Sequence, residues 1–240
     1  MSWQHLTFVT AMVAVMILCA ALIGVRNRHG DEKKKNRVLV VCTIVLWTVE
    51  IFKQIILSVR QDNALAFLNE LPLFLCSIQL LTIPLAAFSK GRLKGAALDF
   101  VAIFGVLGAL LGTYFAGNNY GTYPVICFDN VISGLTHCIA GFASLYILIS
   151  GMASMKRRNI PIVCGILGAF CIAAYVANIL LDYNYMFLMR GDGTPYDILF
   201  NLFGGHPILY PLSVVVLFFV YIVAFYGVYS AFKKKKSKSL

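Results

Sequence analysis

The feature that most constrains this chain is a recurrence: stretches of about twenty apolar residues, separated by polar connections. Seven of them run over residues 6–25, 38–59, 71–88, 96–117, 130–151, 160–181 and 208–232. A helix needs about 20 mostly apolar residues to cross a hydrocarbon core roughly 30 Å thick. Inside lipid it also satisfies its own backbone hydrogen bonds. The ten-residue, period-2 segments of a β-barrel are not seen. The expectation is an all-α, polytopic helical membrane protein with seven transmembrane helices in a single domain, 1–240. Composition disposes of the alternatives. The chain is 60% hydrophobic and 12% charged, whereas soluble domains carry about 25% charged residues. That excludes a water-soluble globule, and disordered chains are more polar still. Seven cysteines with no C-x-x-C pair do not make a disulfide scaffold.

The formal charge of +10 fits either nucleic acid or a membrane until its residues are placed. Six of the 20 Lys and Arg lie between stretches one and two, three between three and four, and three between five and six. Five more follow stretch seven. Those connections alternate sides, so 17 cations fall on one side, with only Arg60 and Arg190 on the other and Lys53 inside stretch two. The positive-inside rule then puts the N-terminus outside and the C-terminus in the cytoplasm. The expected location is the cell membrane, multi-pass, with membrane lipid rather than nucleic acid as partner. Stretch one reads as a span, not a signal peptide, because no Lys or Arg precedes it and it offers no small-x-small cleavage site. Tyr120, Tyr123, Tyr183, Tyr185 and Tyr196 fall on the outer side, where an aromatic belt sits. Residues 196–203 suggest a short interfacial helix in the loop before stretch seven.

With no large soluble domain, function falls to polar residues within the spans. Such residues are costly in lipid and face a bundle interior or cavity. Helical spacing groups them into four stripes: Thr43, Trp47, Glu50 and Gln54, with Lys53 beside them; Pro72, Cys76 and Gln79; Asn130, Gly134, His137 and Gly141; Cys171, Tyr175, Asn178 and Asp182. Stretches two, three, five and six would therefore line one polar cavity, with one, four and seven packed around it. At 1.5 Å per residue, Cys76, His137 and Asn178 lie roughly 8, 10 and 5 Å below the outer surface, and Glu50 roughly 14 Å. The cavity would open outward.

Each residue also has a plainer role. Glu50 and Lys53 suit a structural i,i+3 ion pair. A buried cysteine behaves as a small hydrophobe, and a lone histidine bridges helices. Gly105, Gly108 and Gly112 suit close helix packing, and Pro84 a kink. A Cys and a His at similar depth on two polar faces nevertheless match a nucleophile and its base. No further ligands have the spacing of a metal site, and neither a metal nor a cofactor is expected.

The run Leu71-Pro72-Leu73-Phe74-Leu75-Cys76-Ser77 resembles the Leu-Pro-Leu-His-Leu-Cys signature of the YwaF-like family of bacterial integral membrane proteins. Glu50 with Lys53, His137, and Asn178 followed by Asn184-Tyr185-Met186 are similar in kind and order. The family is distantly similar to a eukaryotic transmembrane ether-phospholipid acyltransferase that uses a Cys and a His. The resemblance implies acyl transfer or lipid hydrolysis through an acyl-enzyme. One departure stands inside the signature: its histidine is Phe74 here.

Two readings follow. In the first, Cys76 attacks an acyl-lipid carbonyl, His137 is the base, Asn178 or Gln79 donates to the oxyanion, and Glu50 and Lys53 bind substrate. In the second, the chain is a small-solute transporter or ligand-binding membrane protein, with Glu50 and Lys53 taking a charged group. A scaffold whose polar core only holds helices together is the plainest alternative.

Overall fold

The computed structural model describes residues 2–114 and 124–238. Every regular element there is helical: α1 Trp3–Asn27, α2 Glu32–Arg60, α3 Gln79–Phe88, α4 Gly91–Tyr114, α5 Phe128–Ile149, α6 Ile160–Leu181, α7 Asp197–Leu202 and α8 Leu209–Lys238. Local chemistry sets several ends. Asp31 Oδ1 accepts the Lys34 N–H at 2.9 Å and caps α2. Pro161 occupies the first turn of α6, where its missing N–H costs nothing. Asp182, at φ 50°, closes α6 in the left-handed conformation.

Six of these helices, α1, α2, α4, α5, α6 and α8, are long and apolar enough to cross a membrane. The third expected span differs. Its helix, α3, has only ten residues, and residues 71–78 form turns instead. Pro72 disfavours helical backbone at Leu71, but a proline is tolerated in a helix's first turn, so it does not account for the turns over 73–78. The Leu73 N–H donates back to the Leu71 carbonyl at 2.7 Å, a tight turn rather than a helix. Pro84 lies inside α3 and frees the Leu80 carbonyl from its i+4 donor. The Trp47 indole N–H fills that gap at 3.0 Å, docking α2 on α3.

The described residues divide into two compact units, 1–67 with 75–154, and 68–74 with 155–240. In the first unit α4 is central. It is the most buried of the long helices, with every residue from Ala96 to Gly105 inside. The expectation that stretch four packs at the periphery is therefore corrected. Lipid tails are as apolar as the helices, so close approach rather than hydrophobic exclusion drives packing. Gly105 lets the Ser144 Cβ come within 2.6 Å of where its own Cβ would stand, and Ser144 Oγ donates to the Ala102 carbonyl at 2.9 Å. Val9, Val13 and Met16 of α1 pack on Ala109. At the basic end, Asn27 Nδ2 donates to the Tyr146 hydroxyl, which donates to the Lys35 carbonyl, both at 3.2 Å. Asp99, fully buried, accepts the Ser154 N–H at 3.1 Å.

The second unit holds α6, α7, α8 and the loop after α6. Helix α7 is the short helix expected over 196–203. Tyr185 is corrected: it is fully buried, not part of a surface belt. Its hydroxyl donates to the Leu68 carbonyl at 2.7 Å and accepts the Leu71 N–H at 3.3 Å. Burial pushes that hydroxyl's pKa up, which keeps it a donor. Phe74 packs its ring against Tyr183, Tyr185 and Phe187, so the signature's histidine position is an aromatic contact here. Tyr120, Tyr123 and the end of stretch four lie outside the described residues.

Candidate functional site

Three elements of the first unit converge on one pair of side chains. The turn before α3 carries Cys76, α5 carries His137, and α4 lies beneath both. The Cys76 thiol and the His137 ring are hydrogen-bonded. His137 Nδ1 lies 2.6 Å from the Ser133 carbonyl, one turn back. A carbonyl only accepts, so Nδ1 carries the N–H, and in the neutral ring Nε2 is the basic nitrogen. That tautomer is the one that can receive the thiol proton.

The two α4 glycines fix the pair's position. A Cβ on Gly108 would stand 3.0 Å from Cys76 Cα, and a Cβ on Gly112 would collide with His137 Nε2 and Cδ2. Four residues of helix span about 6 Å, the separation needed to seat a thiol and a ring in contact. The glycine series was legible as close packing. What it packs against was not, because a glycine carries no polar atom to announce a site.

The turn adds backbone donors. The N–H groups of Cys76 and Ser77 lie within hydrogen-bonding reach of the Cys76 sulfur. Gln79, 1% exposed, begins α3 one turn later. Its Oε1 accepts from Thr82 Oγ1 at 3.0 Å, and its buried Nε2 finds no partner among the described residues.

Glu50, Lys53 and Gln54 form a second cluster on α2, which packs on α5. Lys53 Nζ and Gln54 Nε2 sit 2.9 and 2.7 Å from Glu50 Oε1. Both members of the ion pair are mostly buried, at 22% and 15% side-chain exposure, so removing either leaves a costly charge. The Lys53 ammonium lies within electrostatic range of His137.

Asn178 belongs to the second unit and is fully engaged there. Its Nδ2 donates to the Tyr185 carbonyl at 3.0 Å, and its Oδ1 accepts the Tyr185 N–H at 2.6 Å. Cys171, on the same stripe, contacts Met186 sulfur to sulfur at 3.8 Å. A separate cavity of about 480 Å³ lies between α1, α2 and α5, lined by apolar groups such as Met12, Val45, Cys138 and Phe142. It faces away from His137 on α5 and holds no polar chemistry. Among the described residues no three His, Cys, Asp or Glu side chains are placed to hold a metal ion.

These features define a polytopic helical membrane protein with a thiol–imidazole pair set between its helices. The chain belongs to the TMEM164 family, whose model matches residues 1–229. That description takes the place of the YwaF-like bacterial family suggested by the signature, which the match does not support. Comparison with curated proteins finds no match, and neither does comparison with solved structures.

Proposed function

We propose that the protein is a thiol-dependent lipid acyltransferase or lipid hydrolase of the cell membrane. The Cys76–His137 hydrogen bond, with its Nδ1-protonated tautomer, is the observation that carries this reading. The Cys76 proton passes to His137 Nε2 as sulfur bonds to the ester carbonyl carbon and the C=O pair moves to oxygen. Collapse breaks the ester C–O bond, and the alcohol leaves with the proton from His137. An acceptor hydroxyl, from a second lipid or water, then attacks the thioester. It gives its proton to His137, and the thiolate leaves and is reprotonated. Glu50, Lys53 and Gln79 are the residues proposed to serve the bound substrate; Asn178, expected beside them, has its amide held by the Tyr185 backbone. The likeness of the run around Cys76 to a distant acyltransferase that uses a Cys and a His supports the same chemistry, and Phe74 stands where that signature has a histidine.

Incubating the purified protein with an acyl-labelled phospholipid and trapping at low pH tests this. A hydroxylamine-sensitive label on Cys76, absent from Cys76→Ala, is expected. Acyl exchange that persists in both Cys76→Ala and His137→Ala would refute it.

One observation favours a second reading, a small-solute transporter or ligand-binding protein: the half-inserted Glu50–Lys53–Gln54 cluster. Proteoliposome uptake that Glu50→Gln abolishes and Cys76→Ala tolerates would select it.

A further inference from the structure

Resting on the acyl-transfer reading, we infer that Gln79 Nε2, with the backbone N–H of Ser77, forms the oxyanion hole for Cys76. Asn178 is not available for that role, because both atoms of its amide are held by the Tyr185 backbone. Gln79 differs in each respect. It follows Cys76 by three residues, about one turn. Its Oε1 accepts from Thr82 Oγ1 at 3.0 Å, which leaves the Nε2 end of the amide to face a different partner. That Nε2 is buried and unpartnered among the described residues.

A buried amide donor without an acceptor is destabilising, so natural proteins rarely keep one. An oxygen that acquires charge only during reaction is a partner that would account for it. The Ser77 N–H already points at the sulfur. The carbonyl oxygen bonded to the carbon under attack would lie within reach of the same donor. A nucleophile on a sharp turn entering a helix, with the following residue's N–H as oxyanion donor, is a recurrent solution in acyl-transfer enzymes. Here α3 has ten residues and begins three residues after the nucleophile, which sits in the preceding turn. The break that shortens the third span thereby sets the nucleophile at the entrance to α3.

Gln79→Met keeps the side chain's length and removes both donors. In detergent micelles with palmitoyl p-nitrophenyl ester, acylation of Cys76 should slow about 10²-fold. Alkylation of Cys76 by iodoacetamide, which develops no oxyanion, should stay within twofold. The melting temperature should hold or rise, since an unsatisfied buried group has been removed. Gln79→Glu keeps the acceptor for Thr82 but places an acceptor-only group at the hole, and should slow acylation as strongly. Acylation within twofold of wild type in Gln79→Met overturns the assignment. So does a parallel fall in alkylation and melting temperature, which would mark a structural role. A wild-type chain that forms no thioester on Cys76 overturns the underlying function instead, so the two failures are distinguishable.

Discussion

Helices α5 and α6 each set a polar side chain among small and apolar neighbours, and use it in opposite ways. On α6, Asn178 closes a two-bond ring with the Tyr185 backbone and has no capacity left. On α5, His137 satisfies only Nδ1 within its own helix, and its ring also meets a thiol. Polarity at depth is therefore not the mark of a site. The mark is polar capacity that the fold orients without saturating. By that criterion Cys76, His137 and Gln79 stand apart from Asn178, Asn184 and Tyr185, whose hydrogen bonds build the loop after α6.

The comparison breaks first if the α5 residue proves structural. His137→Ala should lower acyl transfer about 10³-fold while the folded helices persist by circular dichroism. Retained transfer would reduce His137 to a helix bridge.

Next in size is a change that touches no polar atom. Gly112→Ala introduces a Cβ into the His137 ring, and a displacement near 1 Å of a catalytic group costs about 10²-fold. The loss should appear in kcat, with iodoacetamide still reaching Cys76. A fully active Gly112→Ala would show that α4 does not position the ring.

Much of this was readable beforehand, and the misses have physical causes. Hydropathy located the helices because a spanning segment must be apolar throughout. It overread residues 71–78 because Leu71, Leu73, Phe74 and Leu75 are as apolar in a turn as in a helix. The stripe on α5 placed His137, since a period of 3.6 fixes which residues share a face, whereas Cys76 lies in a turn outside the helix its own stripe assumed. The stripes could not separate His137 from Asn178, whose partner is backbone that every residue carries. Nor could they rank α4, whose contribution is the absence of side chains at Gly108 and Gly112.

The α6 half of the comparison predicts a stability effect with little chemistry. Asn178→Ala strands the Tyr185 N–H and carbonyl inside the second unit. Each buried orphan costs about 1–3 kcal/mol, so a loss of about 2 kcal/mol or more is expected. Hydrogen exchange over residues 183–188 should accelerate. The rate of Cys76 acylation should stay within threefold where the variant is folded. A large kinetic loss with normal exchange would return Asn178 to the site.

The smallest effect concerns an ion pair that is neither saturated structure nor chemistry. Arg60 donates to both Asp129 oxygens, at 3.3 and 3.1 Å, and its guanidinium lies 4.8 Å from the Phe128 ring centroid. Asp129 also sits in the first turn of α5, where a negative charge suits the helix dipole. Arg60 is 48% exposed, so water competes for it, and exposed pairs contribute about 0–1 kcal/mol. Asp129→Asn should therefore lower the melting temperature only slightly, less so at high salt, and leave acylation unchanged. Its value is as a control on the same helix. If this change at the α5 entrance slowed acylation as much as Gly112→Ala, the dyad would depend on the helix as a whole. The distinction between saturated and unsaturated polar groups would then lose its explanatory force.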